Sequence, residues 1–258
     1  LVVVGDVTPA SAMAAVTRVF GSWQRKGAPV NVVVPAAASP KPTTIYLYDR
    51  PKSPQSTVFI GQAGPPRSTP DVYALETMGG LFGGGTGSRI TQSLREKRPL
   101  TYAVRHFPVW GRLDDPSTIN GSANVDAVKT DSALIVWMGE LRDIVGPRPP
   151  TDDEIAYARS VTVGNLAVRV ETIDEIANRV AAMARERMPL TFYADYVRGM
   201  NRVGAAEVAA AAKKYVDPSH TIIVVVGDRS VIEAPLRAAN IAPVVIVAAV
   251  TALVPAAA

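Results

Sequence analysis

Two residues in this chain have the types and spacing to do chemistry together. Arg95 and Tyr102 close the run Gly83-Gly84-Gly85-Thr86-Gly87-Ser88-Arg89-Ile90-Thr91-Gln92-Ser93-Leu94-Arg95-Glu96-Lys97-Arg98-Pro99-Leu100-Thr101-Tyr102. A guanidinium supplies a planar fork of donors, and a phenol adds one more that keeps its proton at neutral pH. Donors aimed at one oxygen stabilise negative charge as it develops there. The spacing predicts a helix over 87–98 in which Ile90 and Leu94 form a buried i, i+4 pair. Arg95 then sits on the helix shoulder, able to reach past the helix end at Pro99. Tyr102 is expected to open a strand and to share a face with Val104 and His106. A short turn across Arg98-Pro99-Leu100 brings the two polar tips to one rim. The plainer alternative is a solvated helical arginine and a half-buried packing tyrosine.

Nothing else in the chain offers an obvious reaction centre. Its two histidines, His106 and His220, are far apart and lack a ligand-like companion at helical spacing, and no cysteine is present. Thiolate sites and disulfides are excluded, and no metal site is expected in this chain. Gly83, Gly84, Gly85 and Gly87 invite comparison with a phosphate-binding loop, but G-x-x-x-x-G-K-[ST] is absent. The stretch 71–82 before them reads as helix, with Val72, Leu75, Met78 and Phe82 at helical spacing. Glycines that permit positive φ and close helix packing are the simpler account. The 27 basic and 23 acidic residues are scattered, so no stripe points to nucleic acid. The apolar stretch 241–258 is interrupted by Pro243 and Pro255, which leaves no run long enough to span a membrane. A chain 48% hydrophobic and 19% charged fits a globular protein rather than a disordered one.

The elements that must position Arg95 and Tyr102 can be read from periodicity and capping. Strands are predicted at 43–50 and 55–62, where Val58 and Ile60 alternate with Phe59, and at about 101–110, 117–125 and 221–226. A helix over 126–145 places Leu134, Met138, Leu141 and Val145 on one face. Thr151 with Glu154 and Thr172 with Glu175 fit capping boxes, starting helices near 152 and 173. A further helix runs over 204–215. Strands followed by helices argue an α+β layer, a sheet covered on one face. Val2-Val3-Val4-Gly5-Asp6 recurs as Val224-Val225-Val226-Gly227-Asp228, each copy an apolar strand and glycine turn followed by a helix, 8–20 and 230–238. Chance accounts for such short strings as readily as a repeat does. As a repeat, residues 1–25 read as the last strand and helix of a preceding, missing domain. Residues 26–42, with Pro29, Pro35, Pro40 and Pro42, have linker composition. Residues 43–240 form the main domain, and 241–258 an apolar tail.

Leu94-Arg95-Glu96 followed by Leu100-Thr101-Tyr102 resembles the signature of the C-terminal, non-zinc half of pitrilysin/insulinase-type zinc peptidases, the inverzincins. The similarity continues through 51–64, 65–98, 151–188 and 203–228, in order and at similar spacing. Pro99 departs from the family's usual small residue and Gly79 from its common asparagine. The zinc motif H-x-x-E-H is absent. The resemblance implies the mitochondrial-processing-peptidase-like metallohydrolase fold, an antiparallel-rich sheet with helices packed on one face, each half of the enzyme being made of two similar domains. It implies that Arg95 and Tyr102 face a zinc site in another domain, serving catalysis or substrate binding, and that Gly83, Gly84, Gly85 and Gly87 form a flexible loop. Zn2+ would belong to a missing N-terminal half or a zinc-bearing partner subunit, in a homo- or heterodimer, and none would be ligated by this chain. The expected substrate is an extended peptide, and the chain alone is expected to be inactive. Related bacterial proteins are often exported, which suggests the periplasm, with the cytoplasm as the alternative. A non-catalytic scaffold subunit of the same family is the competing reading.

Overall fold

Period-two alternation of apolar and polar residues builds the sheet. The computed structural model describes residues 1–24, 26–28, 35, 41–168 and 170–248. In it β1 (Thr44–Asp49) buries Ile45 and Leu47, and β2 (Gln55–Gly64) buries Val58 and Ile60 while Phe59 stays half exposed. With β3 (Thr101–Val109), β4 (Ser117–Asp126), β5 (Ile222–Gly227) and β6 (Val244–Val247) they form one sheet ordered β3-β4-β2-β5-β1-β6. The β3–β4, β4–β2 and β2–β5 pairs are antiparallel; β5–β1 and β1–β6 are parallel. The expected α+β, antiparallel-rich sheet is therefore the fold observed.

Helices cover the face that carries Ile45, Leu47, Val58, Ile60, Ile119 and Val225, each almost fully buried. The capping boxes at Thr151/Glu154 and Thr172/Glu175 form as the sequence suggests and start α5 (Asp152–Val168) and α6 (Ile173–Glu186). Leu134, Trp137, Met138 and Leu141 line the buried side of α4 (Thr130–Val145). α2 (Val72–Gly83) packs on β3 through its glycines: a Cβ on Gly83 would lie 2.3 Å from the backbone nitrogen and oxygen of His106. α7 (Phe192–Arg202) was not anticipated, and α8 (Ala205–Tyr215) and α9 (Arg229–Ala238) flank β5 in sequence. On the uncovered face, register places Arg105, Ser122, Phe59, Val224, Tyr46 and Val245 in one row across all six strands.

Residues 1–6, expected as the last strand of a preceding domain, pair with no strand among the described residues and are largely exposed. They lead into α1 (Pro9–Phe20), begun by a capping box at Thr8 and burying no residue. The apolar stretch after 240 supplies an edge strand, Val244–Val247, beside β1 rather than only a tail. The helix predicted over 87–98 is shorter and changes form midway: α3 (Arg89–Thr91) passes into a π-helical turn, Gln92–Glu96. Most of the expected linker 26–42, and the tail beyond 248, lie outside the described residues.

Candidate functional site

The site is assembled by a chain reversal between α2 and β3. α2 ends at Gly83, and Gly85 takes φ 132°, a left-handed conformation that a side chain would strain. Gly87 lies on the ring of Tyr157, and its amide donates to the Tyr157 hydroxyl at 2.9 Å. Ser88 in extended conformation then opens α3. Ile90 and Leu94 are fully buried, as their spacing requires. In the π turn the Lys97 amide reaches back to the Gln92 carbonyl at 2.9 Å. Such single wide turns often occur at functional sites. The Leu100 amide bonds to the Leu94 carbonyl, and Lys129 caps the Pro99 carbonyl at 3.1 Å. Thr101 begins β3 with its hydroxyl donating to the Asn124 carbonyl at 2.6 Å.

This turn brings Arg95 and Tyr102 together. The Arg95 guanidinium carbon stands 4.9 Å from the centre of the Tyr102 ring, in cation–π range. Arg95 Nε lies 3.3 Å from Glu96 Oε1, with the arginine side chain 37% exposed, while Tyr102 is 83% exposed. The expectation that Tyr102 shares a face with Val104 and His106 is not met. Register shifts between Thr101, opposite Val125, and Val104, opposite Ala123. This β-bulge adds one residue to β3 and re-aims the side chains beyond it, so Tyr102 faces outward while His106 is buried.

Neither histidine belongs to this rim. His106 is 4% exposed, and its Nδ1 accepts from Trp137 Nε1 at 3.1 Å. Burial lowers its pKa to about 3, so it is a neutral core residue with its proton on Nε2. His220 lies in an exposed turn where the Asp217 carboxylate and the Ser219 hydroxyl both face Nδ1, at 2.7 and 3.0 Å. With both oxygens on one nitrogen the three cannot relay a proton. Among the described residues no three of His, Asp and Glu gather to hold a metal, so the residues present do not fit zinc.

A groove of about 620 Å³ runs along the glycines of α2, with Arg105, Phe107, Thr162 and Asn165 also in its wall. Arg95 and Tyr102 lie outside it, on an open surface. They can donate hydrogen bonds and stabilise negative charge, and the carboxylate beside them, Glu96, is paired with Arg95 Nε. What sequence reasoning missed is the bracing beneath. Arg89, 3% exposed at its side chain, grips both oxygens of Glu154 at 2.5 and 2.6 Å. Burial alone would raise the Glu154 pKa, but the bonds from Arg89 and Thr151 outweigh it and lower it. The Thr151/Glu154 box was legible in the sequence; Arg89 as its third member was not.

A family profile described as the peptidase M16 inactive domain matches residues 1–161. An uncharacterized zinc protease of Streptomyces coelicolor is 29% identical over 129 residues, which make up 50% of this chain and 28% of that protein. Among solved structures, a peptidase M16 inactive domain from Pseudomonas fluorescens aligns over 87% of this chain and 52% of its own, with TM-score 0.72 and 23% identity. A protease from Helicobacter pylori aligns over 87% and 53%, with TM-score 0.73 and 17% identity. The periplasmic protease PqqL from Escherichia coli aligns over 87% and 24%, with TM-score 0.66 and 14% identity. At these identities the structures share the fold. The chain spans about half the length of the first two and about a quarter of the Streptomyces relative.

Proposed function

This chain belongs to the peptidase M16 inactive-domain family, and on that footing we propose that it is the half of a zinc endopeptidase that contributes Arg95 and Tyr102 to the hydrolysis of extended peptides. The observation that supports this most directly is the stacking of Arg95 on Tyr102 at 4.9 Å, on an open rim and from two different elements. With Nε turned to Glu96, the Nη donors and the phenol are left to meet a substrate carbonyl oxygen as it gains charge. The row from Arg105 to Tyr46 on the uncovered sheet face serves as chamber wall. Zinc, for which the described residues gather no ligand set, is held by another half or a partner subunit, as a homo- or heterodimer. The same reading places the protein in the bacterial periplasm, where the name of the Escherichia coli relative places that protein; no described helix is long and apolar enough to cross a membrane.

The test is kinetic, on the complete enzyme with a mixture of internally quenched peptides. Arg95→Ala or Tyr102→Phe should lower kcat/KM by about 100–1,000-fold, the cost of losing one oxyanion donor, with fold and zinc content intact. If the pair stabilises the oxyanion, kcat falls too; if it only holds the substrate backbone, KM rises and kcat survives. The double variant should lose less than the product of the two single losses. Wild-type kcat/KM in both single variants would leave the non-catalytic scaffold as the function.

A further inference from the structure

The side-chain contacts around Arg95 are too weak to aim it. Its ion pair with Glu96 joins two part-exposed groups, 37% and 44%, and such pairs hold geometry poorly. The Tyr102 ring that it meets is itself 83% exposed. The direction of the guanidinium must come from the backbone beneath, and that backbone is a single π turn, a geometry that peptide propensity alone does not sustain.

Within the turn, two residues before Arg95, Ser93 is 4% exposed and donates its hydroxyl to Glu140 Oε1 at 2.5 Å. Glu140, on α4, is itself 8% exposed, and its second oxygen takes the Arg148 guanidinium. The Arg148 carbonyl in turn accepts Arg89 Nη1 at 2.6 Å, and the Pro149 carbonyl accepts Nη2 at 2.9 Å. The start and the middle of the segment that carries Arg95 are thus tied, through Arg89 and Ser93, to one corner, the last turns of α4 and its connection to α5. Leu94 anchors the segment by apolar contact, which is non-directional. The Ser93–Glu140 bond is directional and fixes rotation about the helix axis.

We propose that Ser93 and Glu140 are positioning residues for Arg95: they set the rotation of the π turn so that the guanidinium stacks on Tyr102 with its Nη donors outward. The proposal rests on the catalytic role of Arg95, and it makes a separate claim. Ser93→Ala removes the directional bond while leaving Leu94 and the core in place. A misplacement of about 1 Å costs on the order of 100-fold in rate, so a loosened turn should cost about 10-fold in kcat, with KM little changed.

The experiment compares Ser93→Ala, Ser93→Thr, Arg95→Ala and the Ser93→Ala/Arg95→Ala double variant in the complete enzyme, using the same quenched peptides, with melting temperature recorded for each. The expected result is a fall of about 10-fold in kcat for Ser93→Ala, recovery in Ser93→Thr, which keeps the hydroxyl, and no further loss when Ser93→Ala is added to Arg95→Ala. Hydrogen exchange should quicken at the Lys97 and Leu100 amides in Ser93→Ala and not in Ser93→Thr. A slow Arg95→Ala with a normal Ser93→Ala overturns the positioning role and spares the catalytic one. So does a Ser93→Ala loss that persists undiminished in the double variant, since it would then act by another route. A normal Arg95→Ala overturns the catalytic reading instead. Unchanged exchange at Lys97 and Leu100 in Ser93→Ala rejects the positioning claim whatever the kinetics of Arg95.

Discussion

His106 lies in the core, and it makes a sharp prediction. Buried between Phe82 and Trp137, it is held neutral, its pKa lowered by burial to about 3. In the unfolded chain it returns to about 6.5, so between these values the unfolded state binds the extra proton and stability rises with pH. The contribution is complete above about pH 6.5 and is lost progressively as pH falls toward 3, at up to about 1.4 kcal/mol per pH unit. Glu154 and Asp71, whose pKa values lie below the usual carboxylate value, lose their share of stability only at lower pH. Urea unfolding at pH 7, 6 and 5 therefore isolates the histidine. His106→Phe should be less stable at pH 7, because Trp137 loses its acceptor, and should show a flatter pH dependence; an equal slope in both proteins would refute the assignment. At this scale the sequence was only partly legible. The spacing of Arg95 and Tyr102 foretold their meeting, because the turn between them is short and ends a helix. The outward aim of Tyr102 was hidden, because a bulge is set by the register of β3 on β4 and not by residues 101–104 alone.

Among the elements, α2 and α4 each contain glycine in a helix, with opposite consequences. Gly139 in α4 has nothing within 4 Å of a would-be Cβ, whereas Gly83 in α2 has His106 backbone at 2.3 Å. Gly139→Ala should stabilise the chain by about 0.4–1 kcal/mol by restricting the unfolded state. Gly83→Ala should destabilise it by about 1–3 kcal/mol or more, since neither backbone can yield without parting helix from strand. Thermal melts of the two variants decide this, and equal shifts would mean that α2 does not sit on β3 so closely. The strands and capped helices were readable because alternation and reciprocal capping are local signals. Three features were not. The π turn holds a contact, Ser93 to Glu140, that spans 47 residues of sequence. The short strand Val244–Val247 exists by pairing with β1, far earlier in the chain. α7 buries only Tyr196 and Met200, too thin a stripe to stand out.

For the whole molecule, one sheet face is covered by helices and the other is open, with Phe59 and Ile222 about half exposed. Zinc should not be tightly held by this chain alone: one histidine is walled into the core, the other is engaged in a surface turn, and a catalytic zinc takes three protein ligands. Metal analysis of the purified chain finding one retained zinc would overturn that. Residues 1–24 carry the last expectation. α1 buries nothing, and Met13, Val19 and Trp23 stand 65%, 63% and 78% exposed. The string that precedes it matches the one preceding α9, whose Ile232 and Leu236 are almost fully buried against this sheet. We propose that residues 1–24 pack on a second sheet of the same kind, as the end of a neighbouring domain. A 12-residue helix without a tertiary partner is marginal in water. In the chain alone as a monomer, α1 amides should then exchange hydrogen almost freely while those of Ile222–Gly227 stay protected, and deleting residues 1–24 should change stability by no more than about 0.5 kcal/mol. In the complete enzyme the same amides should become protected. Equal protection of α1 and β5 in the monomer would show that the helix belongs to this domain after all.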